Sequence, residues 1–330
     1  MSRKYFAKVF VTLLLAGQPL LKLAAQNTTV PATGLKQHDF LYTGEWDYRR
    51  SVQSIFLIRD GKVKWSYDIL FTDSTKTMEE LGEATMRENG NIVFCRKVGA
   101  AEVTPDKKVI WNVNAPPNTE IHSVQPVGLD KVFYVTQGVP CVARLVNIKT
   151  GKVEREFILP TGKPKAHLQF RRVSLLDNGN ILAAHLDSNQ VSEYDPSGKT
   201  VWSFKAQGPW AATRLKNGNT LVSNYHTTVS EVDKQGKVIW QLNQNDIAEI
   251  KLFIIQGLER LPNGNTVFAN WLGADVKDTK NWPGTTQLIE VNPLKKVVWT
   301  LSQWKDPDMG PASSFQLLDK KMLDKIPAYR

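Results

Sequence analysis

The chain has 330 residues, of which 42% are hydrophobic and 22% charged, with a net charge of +10 and only two cysteines. Beyond the first residues no stretch is long and apolar enough for a membrane helix. No Lys/Arg run is dense enough to argue for nucleic acid, and no CxxC or metal-spaced Cys/His cluster occurs, so no metal is expected.

Arg3, Lys4 and Lys8, the apolar run Val9–Ala16, and Leu23-Ala24-Ala25 read as a secretory signal over 1–25: basic region, apolar region, small-residue cleavage site. Its removal takes four positive charges (Arg3, Lys4, Lys8 and Lys22) and lowers +10 to +6, a moderately basic balance suited to acidic ligands. An exported protein, periplasmic or extracellular, follows. Residues 26–39, polar with Pro31 and Gly34, are expected to be a mobile leader, and 40–330 a single domain.

From Phe40 onward one unit recurs. Lys62, Lys108, Lys152, Lys199, Lys237 and Lys296 each leave a tight turn, at spacings of 46, 44, 47, 38 and 59. Three places further on stand Trp65, Trp111, Arg155, Trp202, Trp240 and Trp299. A second signal keeps the same beat, with Asn-Gly-Asn at Asn89, Asn178, Asn217 and Asn263. Asn-Gly between apolar runs marks a hairpin, and a type I′ turn needs positive φ at both central residues. Two hairpins per repeat make four strands, and four-stranded repeats of this length predict an all-β six-bladed β-propeller. Phe40–Trp46, Ser54–Arg59 and Lys62–Ile69 supply three strands of the first blade, and Ala312–Asp319, at the other end of the chain, supplies the missing one. The remaining blades are expected at Leu81–Val113, Ile121–Leu159, Leu168–Lys205, Trp210–Leu242 and Ile255–Leu301, with an insertion at Gly273–Thr286 in the last. A helical turn is expected near Asn245–Ile250.

The repeated outer Trp is read as mechanical, a large ring packed across the gap between blades. Cys95 and Cys141 fall at one rim of neighbouring blades, where a bridge is possible. The outer segments Asp195-Pro196-Ser197-Gly198-Lys199-Thr200-Val201-Trp202 and Asp233-Lys234-Gln235-Gly236-Lys237-Val238-Ile239-Trp240 resemble the pyrroloquinoline-quinone-like repeat. That resemblance implies the propeller fold over the whole mature chain. Quinoprotein dehydrogenases of that superfamily use adjacent cysteines and an acidic calcium site, neither of which is present, so no quinone cofactor is expected. Asn-Gly-Asn followed by Val229, Glu231, Val232 and Asp233 is also similar to bacterial arylsulfotransferases, which implies a funnel with a nucleophilic His and further His and Arg.

A propeller gathers ligand residues at one mouth of its channel. Seven places before the first Asn of each hairpin, or its equivalent, stand Gly82, His122, Arg171, Trp210, Gln256 and Ser313. The next positions include Glu83 and Arg172, and the ends of the second strands give Arg96, His185, Asn224, Asn270, Tyr225, His226 and Trp271. Strand-interior positions are uniformly apolar from blade to blade, whereas this set is chemically diverse, which is how a site grafted on a repeat scaffold reads. His122, His185, Arg171 and Glu83 are the candidates for catalysis, with imidazole suited to proton transfer near neutral pH. Trp210, Asn224, Tyr225, His226, Gln256, Asn270, Trp271, Arg96 and Arg172 are the candidates for binding. Each His is alternatively a turn residue bonded to local backbone, and His167 reads as exposed. Arg171 and Arg172 should point to opposite sides, and Trp282 could form a lid.

Three functions suit this set. The first is a monomeric exported propeller binding an anionic or saccharide-like small ligand, with catalysis by the His/Arg/Glu group as an option. The second is a non-catalytic protein-interaction scaffold. The third is a lyase, hydrolase or arylsulfotransferase-like enzyme acting on an anionic glycan or aryl compound.

Overall fold

A computed structural model describes residues 34–72, 76–225 and 227–330. Twenty-four strands, β1 (Phe40–Gly44) to β24 (Ala312–Leu317), form six antiparallel four-stranded sheets among the described residues. The innermost strands are β24, β4 (Leu81–Met86), β8 (Glu120–Val127), β12 (Phe170–Leu175), β16 (Ala212–Arg214) and β20 (Ile254–Arg260). They neighbour one another around a ring, and β20 meets β24 to close it. β24 pairs with β1 from Phe40↔Leu317 to Gly44↔Ala312, so segments from the two ends of the sequence complete one blade and β1 is not left with a free inner edge.

Burial follows strand position. The second and third strands are almost wholly buried, as in β13 (Ile181–His185) and β14 (Gln190–Tyr194), because their two faces pack on neighbouring blades. Outer strands such as β7 (Val109–Asn114) and β15 (Thr200–Lys205) alternate exposed and half-buried residues.

The repeat residues have structural tasks. The Asn-Gly-Asn turns are not type I′. Only the glycine has positive φ (87° at Gly90), and its N–H bonds to Arg87 O at 2.9 Å. Each is therefore a type I turn ending in a left-handed glycine, and the first Asn stays right-handed because its side chain caps the turn, as Asn89 Oδ1 does to Asn91 N at 3.1 Å. The second Asn donates to a buried Glu on the third strand, pairing Asn91 with Glu102, Asn180 with Glu193, Asn219 with Glu231 and Asn265 with Glu290, at 2.6–2.8 Å. Arg214 and Arg260 reach back from the next blade to Glu193 and Glu231, and His38 to Glu290. Asn, Glu and Arg thus clamp blade to blade at the hairpin end of the channel.

The Trp positions span the same gaps. Trp65 Nε1 donates to Pro105 O and Trp240 Nε1 to Pro293 O across blade boundaries, and Trp299 Nε1 to Gly34 O of the leader, each at 2.8–2.9 Å. Arg214 and Arg260 stack on Trp202 and Trp240.

Several expectations differ in detail. The proposed signal at 1–25 lies outside the described residues. The described end of the leader, 34–39, is held to the sixth blade by the Trp299 and His38 bonds and by Leu35 on its core. Cys95 and Cys141 are unbridged thiols, because they pack into different inter-blade cores. Burial pushes the Cys141 thiol up to about 12 and Cys95 well above its usual range. The helical turn is a 3-10 turn at Gln244–Ile247, capped by Asn243 and Asp246. The insertion holds two 3-10 turns, Gly273–Asp275 and Thr279–Gly284. Trp282 is the core of that insertion rather than a lid: it is fully buried against Phe253, Leu272 and Trp304, and donates to Val276 O at 2.8 Å. Among the described residues no helix is long and apolar enough to cross a membrane.

Candidate functional site

The six residues picked by register converge. Gly82, His122, Arg171, Trp210, Gln256 and Ser313, with Glu45, Glu83 and Arg172, line a throat enclosing about 20 Å³, room for about one water. β-bulges place them there. Pairing is interrupted between Leu81 and Ala84, Glu120 and Ser123, Phe170 and Val173, and Ile255 and Leu258, so in each of those blades the selected residue sits in the irregular step at the mouth of the inner strand. Bulges re-aim side chains, and this is why Arg171 and Arg172, adjacent in sequence, both line the throat instead of opposite faces.

Above the throat, and sharing Arg171 and Trp210 with it, is a cavity of about 360 Å³ walled by Trp46, Glu80, His167, Arg171, Trp210, Tyr225 and Trp271. The indoles of Trp210 and Trp271 lie 5.7 Å apart, and the Arg171 guanidinium covers Trp210 at 4.7 Å. Arg171 is anchored by His167 O (2.6 Å) and Phe170 O (3.0 Å), and its Nη2 donates to His167 Nε2 at 3.1 Å. Glu120 Oε2 receives both imidazoles, His122 Nε2 at 2.7 Å and His167 Nδ1 at 3.0 Å.

Charge is concentrated here with little solvent. Burial, then the neighbouring Glu80 carboxylate, raises Glu45 well above the usual carboxylate range. Burial, then the charge of Arg171, lowers His122, which makes it a neutral imidazole at pH 7. Glu120 is held below its usual value by its two imidazole partners, against its burial. The side-chain nitrogens Arg171 Nε, Trp210 Nε1 and Trp271 Nε1 are buried and have no protein acceptor.

A larger space, about 740 Å³, opens at the other end between the fourth and fifth blades. There Glu193 accepts from both Arg214 and Asn180, while Asp177, Lys216 and Lys234 stand at its open rim, and none of the unlike residues found at one register position lines it. The mouth cavity is therefore the candidate site.

The comparisons agree with this architecture. The family model described as outer membrane protein assembly factor BamB, of the pyrroloquinoline-quinone-like repeat class, matches residues 97–276, more than half of the chain. The chain belongs to that family. Among solved structures, a protein of unknown function from Bacteroides caccae is similar to this BamB-type propeller at 25% identity, covering 84% of this chain and 97% of that one with a TM-score of 0.72. A catalytically inactive virginiamycin B lyase from Staphylococcus aureus, with quinupristin, shares the fold at 13% identity and a TM-score of 0.54, covering 85% and 90%. No curated protein matches.

Not every candidate reaches the mouth of this BamB-type channel. Glu83 lines the throat but is engaged in holding blades together, accepting from Arg172, from Ser123 Oγ at 2.8 Å and from Val124 N at 3.1 Å. His185 is inside the fourth blade, bonded to Tyr194 OH at 2.8 Å and 3.4 Å from Asp187. Asn270 spends its side chain on Phe253 N, Lys251 O and Thr286 O. Arg96 turns outward to Glu79 and Asn112, and Asn224 Oδ1 accepts from Thr228 N within its own turn. His226 lies outside the described residues. Trp210, Trp271, Tyr225 and Arg171 line the cavity, while Gln256, Arg172 and His122 line the throat.

Three site residues escaped the sequence reading: Glu80, Glu120 and His167, the last expected to be exposed. Glu80 and Glu120 each stand two places before a throat residue, Gly82 and His122, and that shared offset was a usable signal.

Proposed function

We propose that the chain is an exported propeller that binds a small acidic saccharide in the cavity above its throat. One observation carries this reading. The Arg171 guanidinium and the indoles of Trp210 and Trp271 wall a single cavity, with Arg171 stacked on Trp210. A fixed cation beside two aromatic rings is the fitting complement of an anionic group carried on a ring. Arg171 offers charge-assisted bonds to a carboxylate or sulfate, and the two indoles offer an apolar wall for a sugar ring. The basic balance of the mature chain and the signal-like first residues support export towards acidic glycans.

Thermal shift against uronic-acid and sulfated oligosaccharides tests this. Saturable stabilisation approaching about 2.7 kcal/mol at a hundredfold excess over Kd is expected, absent for neutral oligosaccharides and lost in Arg171→Met and Trp210→Ala. Equal shifts with neutral sugars would refute it. Turnover of the same ligand would rest on His122, a neutral imidazole held by Glu120 beside the cavity, and would be lost in His122→Asn.

A scaffold role is the second reading, favoured by the assembly-factor description of the family and by apolar side chains exposed on outer strands, including Val109, Ile110, Val238 and Ile239. Charged substitutions there, Ile110→Glu with Ile239→Glu, would abolish partner capture and leave oligosaccharide binding intact.

A further inference from the structure

We propose that Glu80, His122 and His167 form a binding site for one divalent first-row transition metal ion, with Glu120 as its positioning residue. One ligand atom from each of the three lies within 4.8 Å of the other two. They come from three consecutive blades: Glu80 just before β4, His122 in the bulge of β8, and His167 on the 3-10 turn Ala166–Leu168 before β12.

The hydrogen bonding around them is what a metal site requires. A ligating imidazole is neutral and binds through its lone pair, while a carboxylate holds the proton on its other nitrogen. Glu120 Oε2 does this for both rings at once, at His122 Nε2 (2.7 Å) and His167 Nδ1 (3.0 Å). With the protons fixed there, His122 Nδ1 and His167 Nε2 keep their lone pairs. His122 Nδ1 faces Glu80 Oε1 at 3.9 Å, a gap that a metal with bonds of about 2.0–2.2 Å to N and O can bridge. His167 Nε2 receives Arg171 Nη2 at 3.1 Å, so a cationic group already stands against that lone pair. Metal binding therefore requires the Arg171 guanidinium, whose Nη1 also bonds His167 O and Phe170 O, to shift off that nitrogen.

Two imidazoles and one carboxylate suit Zn²⁺, Fe²⁺ or Co²⁺, whereas Mg²⁺ and Ca²⁺ require oxygen ligands. The open side of the triad is the cavity itself, so a bound ion would have coordination positions for an anionic ligand. Metal uptake is a property of the chain alone, measured without any saccharide, and its failure would leave the saccharide reading standing.

The test is titration of the chelator-treated full chain with Zn²⁺, Co²⁺ and Mg²⁺ by calorimetry, with the visible spectrum of the Co²⁺ form as a second readout. One equivalent of Zn²⁺, a Co²⁺ d–d band and no Mg²⁺ uptake at the same concentrations are expected. Glu120→Gln should weaken Zn²⁺ by on the order of 10–100-fold and His167→Ala by more, with His167→Gln as the alternative if the alanine variant does not fold. Unchanged melting of the metal-free variants shows that the loss is local. Absence of 1:1 binding, equal uptake of Mg²⁺, or unaltered Zn²⁺ affinity in the folded His167 and Glu120 variants would overturn the proposal.

Discussion

Replacing Glu83 with Ala removes a carboxylate that joins three blades across the throat. Glu83 belongs to the second blade, accepts from Ser123 and Val124 of the third, and pairs with Arg172 of the fourth. Their side chains are 14% and 21% exposed, so screening by solvent is partial. Breaking one side of a fully buried pair costs about 3–5 kcal/mol because the remaining charge is stranded. Discounting for that exposure leaves about 2–3 kcal/mol, or about 4–6 °C in Tm for a domain this large. Glu83→Gln keeps an acceptor for Ser123 and Val124 and should lose only about half as much. The assay is urea unfolding of Glu83→Ala, Arg172→Met and the double variant. Removing both charges should cost less than the sum of the singles by at least about 1 kcal/mol. Additive singles, or a loss below about 0.5 kcal/mol in Glu83→Ala, would show that the cross-throat bond does not hold these blades together.

Stability should fall on acidification. Asp47 is kept below its usual pKa by Arg49 and Arg50, and Glu290 by His38 and Asn265, in each case against burial. A folded pKa below the unfolded one means the unfolded chain binds protons first, so stability is full above about pH 4 and lost as pH drops through the folded values. Urea midpoints should decline in that window, and Asp47→Asn should flatten part of the slope. Trp299, wholly buried, should cost about 3–5 kcal/mol on change to Ala, and the half-buried Trp240 clearly less; denaturation midpoints would rank them. Truncation before Ala312 strips β1 of its inner partner and should give an aggregating chain by light scattering, rescued by a 312–330 peptide added in trans. Cys95 and Cys141, buried with raised pKa, should react with a thiol reagent only at the rate of unfolding.

The sequence carried the architecture because each repeat restates the same local chemistry: a glycine where φ is positive, an Asp or Asn that caps its own turn, a large ring at the blade boundary. Six unlike residues at one register position led to the throat, since a repeat fixes where that position lies. Second-strand ends were less legible. His185, Asn270 and Arg96 share the throat's rim in sequence count, yet the pleat and local bonding turn them into the blade, the backbone and the outer gap. Glu80 and His167 lie in connections before the inner strands, where no strand periodicity predicts direction. The bulges that aim both Arg171 and Arg172 inward have no sequence mark that distinguishes them from regular strand.

The pairing of β24 with β1 imposes an order of events on biosynthesis. The first strands made are partners for the last, so the ring stays unlatched until residues 312–317 have been delivered. Until then the sheets already made form an open arc. Closure of the throat therefore waits on β24, the innermost strand of the composite blade and the bearer of Ser313.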